Sequence, residues 1–314
     1  MKITNRLGLP AAFVRAVENR PYDKGEADFS ATQLLRPAQI IQLSEQHQGE
    51  MTEDAADRLW ALYGSAVHAM LEWAAGQQGD RFQEAENRLF ADIETPEGVY
   101  RIGGQMDNID TVTGVQSDYK FVSVNIAFYG TRIEWEQQAN IYRWLNHANG
   151  TEIKRLEVIA MFRDWSKYKA MYDSNYPQEP VRVIEMPLWT LADTETFIRQ
   201  RIEHITQRPA PECNDEERWY RPGKWALRKG GNLKAVKLED TLSGVQDYAE
   251  HKKKLDPDDL RIYPPIRGDD PPPTKDYWIE RRPGTHTRCE GYCPVADFCP
   301  QWGRIKQEEA GVVK

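Results

Sequence analysis

The stretch Gly103-Gly104-Gln105-Met106-Asp107-Asn108-Ile109-Asp110, followed across the turn Thr111–Gly114 by Val115-Gln116-Ser117-Asp118-Tyr119-Lys120, decides how this chain reads. Two acidic strands face each other across a tight turn. On the second, Asp118 and Lys120 stand two apart, so both project from one face of an extended strand. A carboxylate beside an ammonium is what metal-assisted phosphodiester hydrolysis needs. Asp107 and Asp118 would hold Mg²⁺ or Mn²⁺, and Lys120 would orient the attacking water and help deprotonate it. Hard divalent ions take oxygen ligands and keep several waters, so two carboxylates and a carbonyl, that of Tyr119, suffice. Taken alone, Asp-x-Lys on a strand is more often a surface ion pair, and the neighbouring elements have to decide.

Glu86–Glu94 alternates Leu89, Ala91 and Ile93 with polar neighbours and closes on the turn Thr95-Pro96-Glu97-Gly98. With Val99–Asp110 and Val115–Ser123 it reads as an antiparallel meander. Upstream, Thr52–Ala75 reads as a long helix with Thr52 as N-cap and Leu59, Tyr63, Val67, Met70 and Leu71 at helical spacing. Gly64, His68 and Glu72 share a second face. Downstream, a helix over Glu134–Asn146 carries Gln138 and Tyr142 one turn apart, closes at Asn149-Gly150, and leads into a strand over Glu152–Phe162. Helix, three strands, helix and strand over 52–162 make a compact α/β core. A strand at Val181–Leu188 and a helix capped by Thr190 and running to about Thr206 follow.

The ordered set G-x-x-x-H-x-x-L-E (Gly64 to Glu72), G-x-x-D (Gly104 to Asp107), D-x-K (Asp118 to Lys120) and Q-x-x-x-Y (Gln138 to Tyr142) resembles the RecB-like branch of the PD-(D/E)XK nuclease superfamily. The match covers about 52–162. The resemblance implies a restriction-endonuclease-like core, a mixed sheet flanked by helices. It carries His68, Asp107 and Asp118 over as metal ligands and Lys120 as the catalytic lysine, with Gln138 and Tyr142 positioning the DNA or the lysine. The family's second acid is often Glu; Asp118 has the shorter reach.

All four cysteines lie after residue 212, at Cys213, Cys289, Cys293 and Cys299, and the last three form C-x3-C-x5-C. A disulfide scaffold is denser and spread through the fold. Thiolates at short spacing instead suit Zn²⁺ or an iron–sulfur cluster. The arrangement resembles the [4Fe-4S] staple of RecB-like helicase–nucleases and CRISPR-associated RecB-like exonucleases, with Zn²⁺ as the alternative. It departs from them in two ways: Cys213 follows the nuclease core rather than preceding it, and the first spacing is x3 rather than x2.

Between Glu216 and Lys237, seven basic residues stand against two acids. Arg218, Arg221, Lys224, Arg228 and Lys229 are interleaved with Trp219, Tyr220 and Trp225 on and before a hairpin, Trp225–Leu227 against Ala235–Leu238. Cations meet phosphates and aromatic faces stack on unpaired bases, so this reads as a single-strand grip or as a solvated hairpin with its tryptophans inward. Arg163, Trp165, Lys167, Tyr168 and Lys169 form a smaller patch of the same kind.

Across 314 residues the charge is 41 − 49 = −8, so DNA contact must come from local patches. No apolar run or signal-like start marks a membrane or secreted protein, so a cytoplasmic setting is expected, with a phage-encoded origin compatible with it. The expected organisation is an N-terminal helical segment (1–51), the nuclease core with its helical extension (52–207), and a module of basic hairpin, proline-rich arm (254–275) and cysteines (208–314). The expected activity is metal-dependent DNA exonuclease on ends or single strands, with recombination or CRISPR-type partner proteins. A flap endonuclease and a non-catalytic DNA- or partner-binding fold are the alternatives.

Overall fold

The computed structural model describes residues 2–18, 25–78, 83–85, 88–232, 234–264, 274 and 276–312. Parts of three expected segments lie outside them: 86–87 of the first meander strand, 265–273 and 275 of the proline-rich arm, and 1 and 19–24 of the N-terminal segment. The chain divides into two units, Met1–Glu212 and Cys213–Lys314. Among the described residues no helix is long and apolar enough to cross a membrane.

In the first unit, Thr52–Asp54 is a short strand paired in parallel with Lys2–Thr4, not the start of a helix. Asp54, rather than Thr52, caps the turn Ala55–Arg58, and helix α1 then runs Leu59–Gln78. Asp54 also accepts hydrogen bonds from Thr4 Oγ1 and the Arg6 N–H, and those partners, distant in sequence, fix the boundary. Strands β1 (Arg88–Thr95) and β2 (Gly98–Gln105) form an antiparallel hairpin, with Phe29–Ser30 added in parallel to β2.

The expected strand over 99–110 is broken at Met106-Asp107. After that bend the chain enters a second, five-stranded sheet as β3 (Asn108–Asp110). Its neighbour β4 (Val115–Val122) pairs antiparallel to β3 and parallel to β5 (Arg155–Phe162). Strand β6 (Val181–Met186) closes one edge and Gln83–Ala85 the other. The meander is therefore two hairpins in two sheets, and Asp107 sits where the chain changes sheets.

Helix α2 (Ile133–Ala148) buries Trp135, Ala139, Ile141, Tyr142 and Leu145 against the sheets, and helix α3 (Leu191–Thr206) adds Ile198, Ile202 and Ile205. Leu34 and Ile41 belong to the same core, so residues 1–51 are part of this unit. Gly104 has a steric duty. A Cβ there would lie 2.6 Å from Leu145 Cδ1 and 2.8 Å from Tyr142 Cε1, so its absence lets α2 close onto β2.

The second unit centres on β7 (Lys224–Lys229), which pairs antiparallel with β8 (Lys237–Glu239), as the hairpin reading expects. It also pairs with β9 (Tyr277–Arg282), from beyond the proline-rich segment. Ile262–Tyr263 joins β9 in parallel. Helix α4 (Leu242–Lys253), capped by Thr241, packs Val245 and Ala249 on Leu227 and Ile279. The terminal helix α5 spans Pro300–Val312.

Candidate active site

Strand β4 has a helix on each side. Its even positions face α2: Gln116 Nε2 donates to the Ala139 carbonyl, and Lys120 Nζ donates to Gln138 Oε1 at 2.8 Å. Its odd positions face α1, where the Tyr119 ring lies 6.3 Å from that of His68. Asp107 enters from the sheet-switching bend, with Oδ2 accepting the Tyr119 N–H at 2.7 Å and Oδ1 lying 3.1 Å from His68 Nδ1. Lys120 Nζ is also 2.6 Å from Asp118 Oδ2. Gln138 Nε2 donates to the Tyr142 hydroxyl at 3.0 Å. One cluster thus gathers His68, Asp107, Asp118, Tyr119, Lys120, Gln138 and Tyr142, drawn from four separate segments.

The electrostatics are those of two acids that one cation does not satisfy. Burial raises the Asp118 carboxyl above the ordinary carboxylate value; Lys120 opposes this and the Asp107 charge adds to it. His68 is raised by its hydrogen bond to Asp107, against burial. Asp118 Oδ2 is buried and, although the Lys120 ammonium is close, has no hydrogen-bond partner of good geometry. That oxygen, ion-paired with Lys120 and near a second carboxylate, fits a hard divalent cation. Among the described residues, no group of three or more His, Cys, Asp or Glu side chains stands in metal-holding geometry. Two carboxylates and retained water are a sufficient set for Mg²⁺.

In the second unit the cations of the basic stretch are largely engaged. Lys224 pairs with Asp240 at 2.8 Å and Arg228 with the buried Glu280 at 3.3 Å. Arg218 reaches Asp215, the Cys213 carbonyl and His286, so it ties the fold together. Arg221, Lys224 and Lys229 are exposed. Trp219, at φ 52°, packs on Tyr292 and under Arg288.

No disulfide joins the cysteines. Burial, then Glu217, then the other three thiols push the Cys213 thiol up to about 12. Cys289 is pushed up to about 11 by burial and then by Cys293 and Cys299. The Gln301 side chain clasps the Cys213 backbone at 3.0 and 2.8 Å, and the Trp302 N–H points at Cys299 Sγ, 3.4 Å away. The thiols are neighbours, but a formed C-terminal metal module is not among the described geometry.

The sequence reading overlooked Trp60, which lies exposed under Arg163. Trp165, read as part of a surface patch, instead donates its Nε1–H to the Pro177 carbonyl.

No family model matches the chain, and no curated protein matches it. Among solved structures, one described as the crystal structure of SSO0001 is similar at 18% identity, over 64% of this chain and 89% of that chain, with a TM-score of 0.45. At that score the likeness carries no assignment.

Proposed function

We propose that this protein is a divalent-metal-dependent deoxyribonuclease of the PD-(D/E)XK type, acting on DNA ends. The observation that carries the reading is Lys120 Nζ held between Asp118 Oδ2 at 2.6 Å and Gln138 Oε1 at 2.8 Å, in the same cluster as Asp107 and His68. An ammonium has three donors; one goes to Gln138 Oε1 while the charge is paired with Asp118, which leaves donor capacity for the attacking water or a phosphate oxygen. Asp107 and Asp118 would hold Mg²⁺ or Mn²⁺, with the Tyr119 carbonyl and His68 beside them. Such an ion, when bound, supplies Lewis-acid stabilisation of phosphate charge and acidifies water. Gln138, fixed by Tyr142, aims Lys120. In the second unit, Cys213, Cys289, Cys293 and Cys299 would hold a [4Fe-4S] cluster, or Zn²⁺. Their crowding, with the Trp302 N–H directed at a sulfur, supports this.

The test is digestion of end-labelled linear DNA, single- and double-stranded, beside circular DNA, with EDTA, Mg²⁺ or Mn²⁺. Metal-dependent loss of linear but not circular DNA is expected. Lys120→Ala and Asp118→Asn should lower the rate by about 10²- to 10⁴-fold; near-parental cleavage by Lys120→Ala rejects the site. Iron, sulfide and zinc analysis of anaerobically purified protein decides the cysteine centre.

A further inference from the structure

Helix α1 is rich in apolar residues, yet none of those from Leu59 to Ala75 is fully buried. Trp60 is 52% exposed and Tyr63 45%, with their rings 5.8 Å apart and close to perpendicular. The Arg163 guanidinium carbon lies 4.3 Å from the Trp60 ring centroid. Tyr63 meets Phe121, the residue after Lys120, edge-on at 6.4 Å. This surface is braced from behind. The Arg163 N–H donates to the Val122 carbonyl at 2.8 Å, while Asp164 accepts from the Val124 N–H at 2.7 Å and the Ser123 hydroxyl at 2.8 Å.

Position ties this surface to the candidate active site. Trp60, Gly64 and His68 follow one another at successive turns on one face of α1, so Trp60 and His68 are separated by about 12 Å of helix rise. Between them a Cβ on Gly64 would meet nothing within 4 Å, which leaves the path open. An arginine over an indole presents charge for a phosphate and a flat stack for a base. A base inside a duplex has both faces covered by its neighbours; only an unpaired one has a face to offer.

We propose that Trp60, with Arg163 on its face and Tyr63 at its edge, is a stacking site for an unpaired base of the strand whose phosphate lies at Lys120, and that it makes single-stranded DNA the preferred substrate. The proposal rests on the nuclease reading for the position of the phosphate, but its test does not need cleavage. Binding is read by fluorescence anisotropy in a Lys120→Ala background, with a short single-stranded oligonucleotide and its blunt duplex. A second set of oligonucleotides carries 2-aminopurine at successive positions, and its quenching reports stacking on a ring. Trp60→Ala should weaken single-strand binding by about tenfold, the scale of one stacked base, and duplex binding far less. It should abolish the quench at one position, while Trp60→Phe keeps most of both. Arg163→Ala, at an exposed side chain, should lower single-strand affinity several-fold without changing the melting temperature. That arm stands if Trp60→Ala proves unstable. Equal losses on both DNA forms, or single-strand binding indifferent to Trp60 and Arg163, would overturn the stacking site. Single-strand binding that depends on Trp60, in a chain with Lys120 intact that fails to cleave DNA with Mg²⁺ or Mn²⁺, would retire the nuclease reading and leave the stacking site standing.

Discussion

Lys120 has two fixed neighbours, and the second is itself held. Gln138 gives its carbonyl oxygen to the ammonium, which can only donate, and its amide N–H to Tyr142, whose hydroxyl accepts it and holds the amide in place. Gln138→Ala should therefore lower kcat by about 10- to 100-fold with little change in KM, the pattern of lost positioning rather than lost binding. Tyr142→Phe should do the same more weakly, with about 1 kcal/mol lost in denaturant unfolding. Equal effects of both variants on KM alone would assign these residues to DNA contact instead. A second residue sets a pH response away from the site. The Arg6 N–H, and then those of Ala56 and the Thr4 hydroxyl, hold Asp54 below its ordinary value of 3.8, against burial. A depressed folded value means that its stabilisation is present above 3.8 and lost as pH falls through the folded value. Asp54→Asn should thus be less stable than the parent at neutral pH, with the gap narrowing in acid. A gap independent of pH would show that the charge is not what matters. That Asp118 and Lys120 share a face was legible from strand alternation, and Asp107 could be placed near them only through the order of the motifs along the chain. Trp60 was not, because an aromatic at helical spacing looks the same whether it faces core or solvent.

Elements carry the site through two backbone features. The break at Met106-Asp107 moves the chain from one sheet to another, so Asp107 leaves the alternation of β2 and turns toward β4. The bare Gly104 lets α2 descend until Tyr142 and Gln138 reach Lys120's side of β4. Gly104→Ala should be destabilised by about 1–3 kcal/mol from overpacking, and activity should fall even where the protein remains folded, since α2 would be lifted. Denaturant midpoints and kcat on the same preparation check this; a stable, fully active variant would mean that Leu145 and Tyr142 yield freely. The order of the long helices and strands over 59–206 could be read from periodicity and turn residues, while the short elements Gln83–Ala85, Ile126–Tyr129 and Lys167–Tyr172 were not. The sheet break could not, because a bend inside an extended run leaves no change of period. The start of α1 was misread for a related reason: Thr52 is a good cap, but pairing with Lys2–Thr4 overrides it. Strand β9 and its pairing with β7 were invisible, since their partners are joined across the proline-rich segment. Helix α4 passed unread although Thr241 marks its start.

At the scale of the molecule, charge and chemistry are divided unequally. Residues 213–314 hold 19 Lys and Arg against 18 Asp and Glu, leaving 22 against 31 in residues 1–212. The unit with the acid–lysine cluster is therefore the strongly acidic one, and its field alone repels a phosphate backbone. Yet every residue of the cluster, from His68 to Tyr142, lies within residues 1–212, together with a core of its own. The acidic unit should be sufficient for the chemistry and poor at recruiting DNA. A chain ending at residue 212 should melt cooperatively and retain metal-dependent cleavage of a short single strand, with kcat near that of the full chain and a raised KM. Because the deficit is one of charge, it should shrink as salt screens the repulsion, over a Debye length of roughly 10 Å at 0.1 M. The full chain should instead lose affinity with salt, in proportion to the phosphates its cations contact. Parallel salt titrations of the two proteins on one oligonucleotide separate these slopes. A folded 1–212 that fails to cleave at any salt concentration, beside an active full chain, would show that the cysteine-bearing unit contributes to the chemistry and not only to recruitment.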